Sequence, residues 1–267
     1  EAAEKDGTQV VLGLREVMDE SKALAREWER KKILPALEKY YKEIWIYGPE
    51  QMGNPLVGIP ISTATESKIH YTGYLHRTKK DDGVPVLSAN KISLDNPYLL
   101  VMAGGGGDGG ELMRAMTRLY TEKAEGLLPG LFLLGPFMPQ DIKDEIKQKT
   151  ENVPQVEVVY FSNQVEALIS KAKAVIGMGG YNSFCEILSF KKPALIYPRT
   201  KPRLEQLIRA RKAAEFGIAG LLSEDMLNDT IKLHKAVVNL QQADCLQHNF
   251  SLQGLEWIER RIRSLLS

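Results

Sequence analysis

From residue 98 the chain alternates short apolar runs with helical patterns, and this rhythm constrains the fold more than any other feature. "YLLVMAGGGGDGG" is followed by "ELMRAMTRLYTEKAE", "LFLLGPF" by "DIKDEIKQKT", and "VEVVYF" by "QVEALISKAK". "AVIGMGG" then leads into "SFCEILSF", and "PALIYP" into "RLEQLIRARKAAEFG". Runs of four to eight apolar residues alternating with helices predict βαβ units and a mostly parallel sheet. Sheets of this kind bind ligands beyond the carboxyl ends of their strands. In this chain those ends carry the glycine loops.

The upstream part is organised more loosely. "TQVVLG" (8–13) reads as a buried strand, and a long helical pattern runs from about Ser21 to Tyr41, with Leu24, Trp28, Ile33, Leu37 and Tyr40 on one side. "KEIWIYG" and "KIHYTGYL" read as two further strands, and 76–97 as a polar linker punctuated by Gly and Pro. The expected domains are therefore 1–75, the linker 76–97, a larger unit over 98–250, and a C-terminal amphipathic helix over 251–267. The chain opens on the polar "EAAEKDGTQ" without Met and passes almost directly into a strand. The expectation is that part of an N-terminal domain lies upstream.

Composition excludes several classes. A net charge of +1 gives no electrostatic reason to expect nucleic acid. The two cysteines, Cys185 and Cys245, form no CxxC pair, which suits a reducing, cytoplasmic setting and argues against a zinc site. None of the four histidines forms a ligand pair, so no metal is expected.

Two glycine turns carry the chemistry. "GGGGDGG" (104–110) contains a formal GxGxxG between a strand and a helix. The next strand, however, ends without the acidic residue that would hold an adenosine ribose, and Asp108 sits inside the loop. No Gly-Lys-Ser/Thr follows, which excludes a Walker loop. "GMGGYNSFCE" (177–186) leaves two readings open. Ser183 and Glu186 have the spacing of a capping box, which would make Gly179 and Gly180 a mere turn. Alternatively, the amides after Gly180 hold a phosphate and Glu186 meets a ribose diol. "KPRLEQLIRARK" (201–212) reads either as a solvated helix start or as a first turn aimed at the same crevice.

Taken in order, these motifs resemble the C-terminal half of a GT-B glycosyltransferase of the MurG type, glycosyltransferase family 28. The glycine loop of "LVMAGGGGDGG", the run "VVYFSNQVEALISKAKAVIGMGGYNSFCEIL" and the run "KKPALIYPRTKPRLEQLIRARKAAEFGIA" carry the likeness. The upstream "VVLGLREVMDE", "YYKEIWIYG" and "IHYTGYLHR" look like a poorly characterised branch of predicted glycosyltransferases. The fold this implies is α/β, a GT-B Rossmann-like parallel-sheet domain with a remnant of a second such domain. The resemblance further implies a nucleotide-sugar donor, commonly UDP-linked. Gly180, Tyr181, Asn182 and Ser183 would meet its diphosphate, Glu186 its ribose, and the backbone of Phe161 and Ser162 its base. Gly105, Gly106 and Gly107 would line the cleft, Glu205 and Gln206 would bind the sugar, and Arg77 would approach the diphosphate. The implied reaction is metal- and cofactor-independent attack of an acceptor hydroxyl on the anomeric carbon, with inversion. A general base is expected from the part of the N-terminal domain that lies upstream, so this chain alone would be a donor-binding half. The acceptor is not named by the sequence, and the family also admits a lipid-linked one with weak peripheral membrane association. A nucleotide-sugar hydrolase or epimerase of the same fold, or a non-catalytic nucleotide-sugar-binding subunit, remain the alternatives.

Overall fold

A computed structural model describes residues 8–79, 87 and 91–266. The chain divides into two compact units. One comprises Glu1–His76, Thr200–Arg209 and Asn249–Ser267, the other Arg77–Arg199 and Ala210–His248. Residues 80–86 and 88–90 of the expected linker lie outside the described residues.

The first unit holds a three-stranded parallel sheet of β1 (Val11–Arg15), β2 (Glu43–Tyr47) and β3 (Ile69–Tyr71), in that order. Parallel strands need a crossover. Here α1 (Ser21–Arg30) and α2 (Ile33–Tyr40) provide the first one, and the single turn α3 (Thr63–Glu66) lies within the second. One continuous helix over 21–41 was expected, and the structure breaks it. Lys32 adopts the left-handed conformation, φ 53°, between the two helices. Pro35 explains the break: it lacks an N–H, and its ring would strike the carbonyl four residues back, so it is tolerated only in the first turn of a new helix. Leu24 and Trp28 of α1 and Leu37 of α2 still reach one core, with Leu14, Ile44, Leu56 and Ile59. The third strand is also shorter than the run "KIHYTGYL" suggests. Gly73, at φ +82°, turns the chain away after Tyr71.

The second unit is a six-stranded parallel sheet: β4 (Leu99–Met102), β5 (Gly130–Leu133), β6 (Val156–Val159), β7 (Ala174–Gly177), β8 (Ala194–Ile196) and β9 (Gly220–Leu221). Its spatial order, β6-β5-β4-β7-β8-β9, is that of a doubly wound fold, with the reversal between β4 and β7. The helices are α4 (Gly110–Glu122), α5 (Gln140–Thr150), α6 (Val165–Lys171), α7 (Tyr181–Ser189), α8 (Glu205–Glu215), α9 (Glu224–Asn228) and α10 (Thr230–Gln242). The first residues of α8 are counted with the first unit. Every residue of β4, β5 and β7 is buried, which is why these strands read as unbroken apolar runs rather than alternating ones. Leu99, Val101, Phe132 and Ile176 share a core with Met113, Met116, Leu119 and Tyr120 of α4. Burying each such large side chain contributes about 1.5–3 kcal/mol.

The C-terminal helix α11 (Gly254–Leu266) belongs to the first unit. There Trp257 meets Trp45 edge-on at 5.4 Å, and Arg261 pairs with the buried Glu43 of β2. Among the described residues no helix is long and apolar enough to cross a membrane.

Candidate nucleotide-sugar site

The strand reversal places two carboxyl ends side by side, with Met102 of β4 opposite Gly177 of β7. The loop 104–110 leaves the first and the turn 178–180 leaves the second. Strand reversals of this type open the crevice in which doubly wound sheets bind ligands. The two segments are close: a Cβ built on Gly104 would lie 4.0 Å from Ser183 Oγ.

The capping-box reading of 183–186 does not hold. Helix α7 begins at Tyr181 with Gly180 as its cap, and no side chain caps it. Ser183 is therefore the third residue of the helix, and Glu186 lies beyond the first turn. The N–H of Phe184 bonds the Gly180 carbonyl at 2.9 Å. The amides of residues 182 and 183 precede that bond, and the first turn of a helix offers them no acceptor within it. A Cβ on Gly180 would meet nothing within 4 Å, so a side chain at the cap position would enter open space. Amides and helix dipole together favour an anion at this point.

One face of α7 collects the polar groups. Asn182, Glu186 and Ser189 follow at i, i+4 and i+7, and Arg77 lies along them. Its backbone N–H bonds Ser189 Oγ at 2.9 Å, and its guanidinium donates to Asn182 Oδ1 at 3.1 Å. Its Nε is buried without a partner among the described residues. Glu186, between these contacts, is half-buried, and its carboxyl makes no hydrogen bond to a described residue. Burial, then the charge of Glu166 on α6, push its carboxyl up to about 7, against the pull of Arg77. A carboxyl so placed gains from any ligand hydroxyl that donates to it.

The glycine loop 104–110 differs in kind. Gly106 has φ +96°, and a Cβ there would lie 2.6 Å from the Leu134 carbonyl oxygen and 2.8 Å from the Met138 nitrogen. The Gly105 carbonyl accepts the Phe137 N–H at 2.8 Å. Much of the loop thus packs against the segment after β5, and only Gly107 faces open space. Phe161 and Ser162 follow β6, with Phe161 exposed and Ser162 Oγ accepting the Gln164 N–H at 3.0 Å. The structure therefore brings Arg77, Asn182 and Glu186 together beside Gly104 and Ser183, while Phe161 and Ser162 lie at the far edge strand of the same unit.

Glu205 and Gln206 belong to the first unit. The solvated reading of this helix start is overturned: Glu205 is 7% exposed, Gln206 9% and Arg209 0%. Within that unit Asp19 accepts the Leu204 N–H at 2.9 Å, Glu27 pairs with Arg203 at 2.9 Å, and Glu16 pairs with Arg209 at 2.5 Å. Glu16 and Arg209 are both fully buried, so removing either would leave a buried charge uncompensated.

Three groups escaped the sequence reading: Glu166, Arg199 and Tyr197. Arg199 binds Asp108 at 2.8 Å and Tyr197 donates to Glu111 at 2.7 Å, both joining the end of β8 to the loop after β4. Their one sequence signal is position, since both fall just past the apolar run "PALI". His234 and His248 each meet a backbone carbonyl. No group of three or more His, Cys, Asp or Glu suited to a metal occurs among the described residues.

The six parallel strands in the order β6-β5-β4-β7-β8-β9 define a doubly wound, Rossmann-like α/β class of fold. The particular family follows from comparison with known proteins: residues 105–253 match the glycosyltransferase family 28 C-terminal domain, more than half of the chain, and the chain belongs to that family. It is similar to two UDP-N-acetylglucosamine--N-acetylmuramyl-(pentapeptide) pyrophosphoryl-undecaprenol N-acetylglucosamine transferases. That of Lachnospira eligens is 32% identical over 101 residues, 33% of this chain and 28% of the relative. That of Clostridium kluyveri is 25% identical over 182 residues, 67% of this chain and 48% of the relative. The chain thus spans about half or less of the length of these relatives. Among solved structures it shares its fold with spinosyn rhamnosyltransferase SpnG, solved with thymidine diphosphate, at TM-score 0.63 and 14% identity over 100% of this chain and 69% of that one. The UDP-GlcNAc 2-epimerase of Methanocaldococcus jannaschii matches at TM-score 0.60 and 16% identity, over 99% and 72% of the two chains. The fold is the Rossmann-like α/β arrangement of GT-B glycosyltransferases.

Proposed function

We propose that this chain binds the nucleoside-diphosphate-sugar donor, UDP-linked, of an enzyme that transfers the sugar to an acceptor hydroxyl. The observation that carries the reading is the uncapped N-terminus of α7 with Glu186 and Arg77 beside it. The diphosphate sits at the amides of residues 180–183, where the helix end and Arg77 offset its charge. Glu186 accepts hydrogen bonds from the ribose hydroxyls, and the backbone of Phe161 and Ser162 meets the base. Gly105, Gly106 and Gly107 form the wall of the cleft. Fixed amides aimed at the departing diphosphate stabilise charge as it develops in the transition state. Transfer then needs no metal and inverts the anomeric carbon. The names of the two curated relatives support a UDP-linked donor and a lipid-linked acceptor for this family member as well.

Thermal unfolding with UDP, GDP, dTDP and ADP, then with UDP-sugars, tests the proposal. UDP is expected to raise the midpoint, and Glu186→Ala to reduce that rise. A folded sample that responds to no nucleotide would overturn it. The fold shared with an epimerase motivates a second reading, in which the sugar itself or water takes the place of the acceptor. Release of free or epimerised sugar from the donor without any acceptor would select it.

A further inference from the structure

We infer that Arg199 is a diphosphate-binding residue held in reserve by Asp108, and that the donor's phosphates displace the carboxylate from it. The inference rests on the donor reading above and adds to it a residue and an exchange of partners.

Strands β4, β7 and β8 are consecutive in the sheet, with Met102, Gly177 and Ile196 in register across them. Neighbouring strands lie about 4.8 Å apart, so the ends of β4 and β8 are separated by roughly 10 Å. The turn into α7 rises from β7 between them. Arg199, three residues past the end of β8, and Asp108, six past the end of β4, nevertheless meet at 2.8 Å. The pair therefore bridges the end of the strand from which the uncapped helix rises. Tyr197 and Glu111 make a second bridge between the same two segments at 2.7 Å. That bridge keeps the loops together without Arg199.

The position of Asp108 is otherwise hard to account for. A carboxylate in a glycine loop facing an anion site repels the ligand, unless a cation neutralises it. Arg199 does so here, and both side chains remain partly exposed, at 29% and 49%. A guanidinium presents several donors in a planar fork and binds phosphate at least as well as carboxylate. A diphosphate at the start of α7 brings two or more negative charges to the cation, against the single charge of Asp108.

The experiment is calorimetric titration of UDP and of uridine into the wild-type chain, Arg199→Gln and Asp108→Asn. Arg199→Gln is expected to weaken UDP about tenfold or more while leaving uridine within about twofold, because only the phosphates meet the guanidinium. Asp108→Asn is expected to tighten UDP about threefold, since it removes the negative charge that competes with the phosphates for the guanidinium. UDP affinity unchanged in Arg199→Gln, or an equal loss for uridine, would overturn the inference and leave the pair as a loop clasp. Should Arg199→Gln fail to fold, Asp108→Asn decides alone, and unchanged or weaker UDP binding there refutes the exchange. A wild-type chain that binds neither UDP nor dTDP would instead refute the donor reading itself.

Discussion

The two glycine turns at the strand reversal look alike in sequence and differ in what their glycines do. In the loop after β4, Gly106 is needed because other backbone comes within 2.6 Å of where its side chain would be. In the turn before α7, a side chain on Gly180 would meet nothing within 4 Å. The first turn uses glycine to pack two loops together, and the second leaves open the space beside the start of a helix. Glycine count therefore marks the strand ends at the reversal, while the uncapped helix marks the place proposed for the donor.

The largest effect that would break this contrast is at Gly106. Gly106→Val must strain a backbone at φ +96° and collide with the Leu134 carbonyl. It is expected to cost about 3 kcal/mol or more, read as a fall in the thermal midpoint of roughly 6 °C or more. Gly180→Ala, at φ −63°, should leave that midpoint unchanged while weakening UDP. A drop at both positions, or at neither, would remove the distinction.

Glu186→Ala sharpens the functional half. Loss of a charge-assisted hydrogen bond to the ribose is expected to cost about 1.5–3 kcal/mol, or 10- to 100-fold in UDP affinity by calorimetry. The same residue makes a pH prediction. Its carboxyl, near 4.5 ordinarily and about 7 when folded, retains in the native state a proton that the unfolded chain has lost. Stability from this group is full below 4.5 and falls as pH rises through 7. Glu186→Gln, which cannot ionise, should match wild type at pH 4 and exceed it at pH 8. The gain is at most about 3 kcal/mol, reduced by water at the half-buried site, and pH-dependent denaturant unfolding measures it. The smallest effect belongs to Ser183→Ala. As the third residue of α7 rather than its cap, it should change stability by less than about 0.5 kcal/mol, against about 1 kcal/mol for a true cap.

The sheet of the second unit was legible because strands buried on both faces leave unbroken apolar runs, as in "LLVM" and "AVIG". The break at Lys32 was legible in principle from Pro35, but an apolar stripe that continues across both helices concealed it. The S-x-x-E spacing of Ser183 and Glu186 misled because any two positions three apart share a helix face, whether or not the first is a cap. Arg209 read as surface because its partner, Glu16, lies 193 residues away. Asp108 and Arg199 are 91 residues apart, and only the strand order brings them together. Local pattern thus reveals elements and their buried faces, whereas pairings made by topology stay hidden until the sheet is known.

The most direct test of the central claim compares UDP with 2′,3′-dideoxy-UDP by calorimetry in the wild-type chain and in Glu186→Ala. If Glu186 holds the ribose before the open end of α7, removing the hydroxyls weakens the wild type about 10-fold or more and leaves the variant almost unaffected. Equal losses in the two proteins would place the ribose elsewhere and contradict the account.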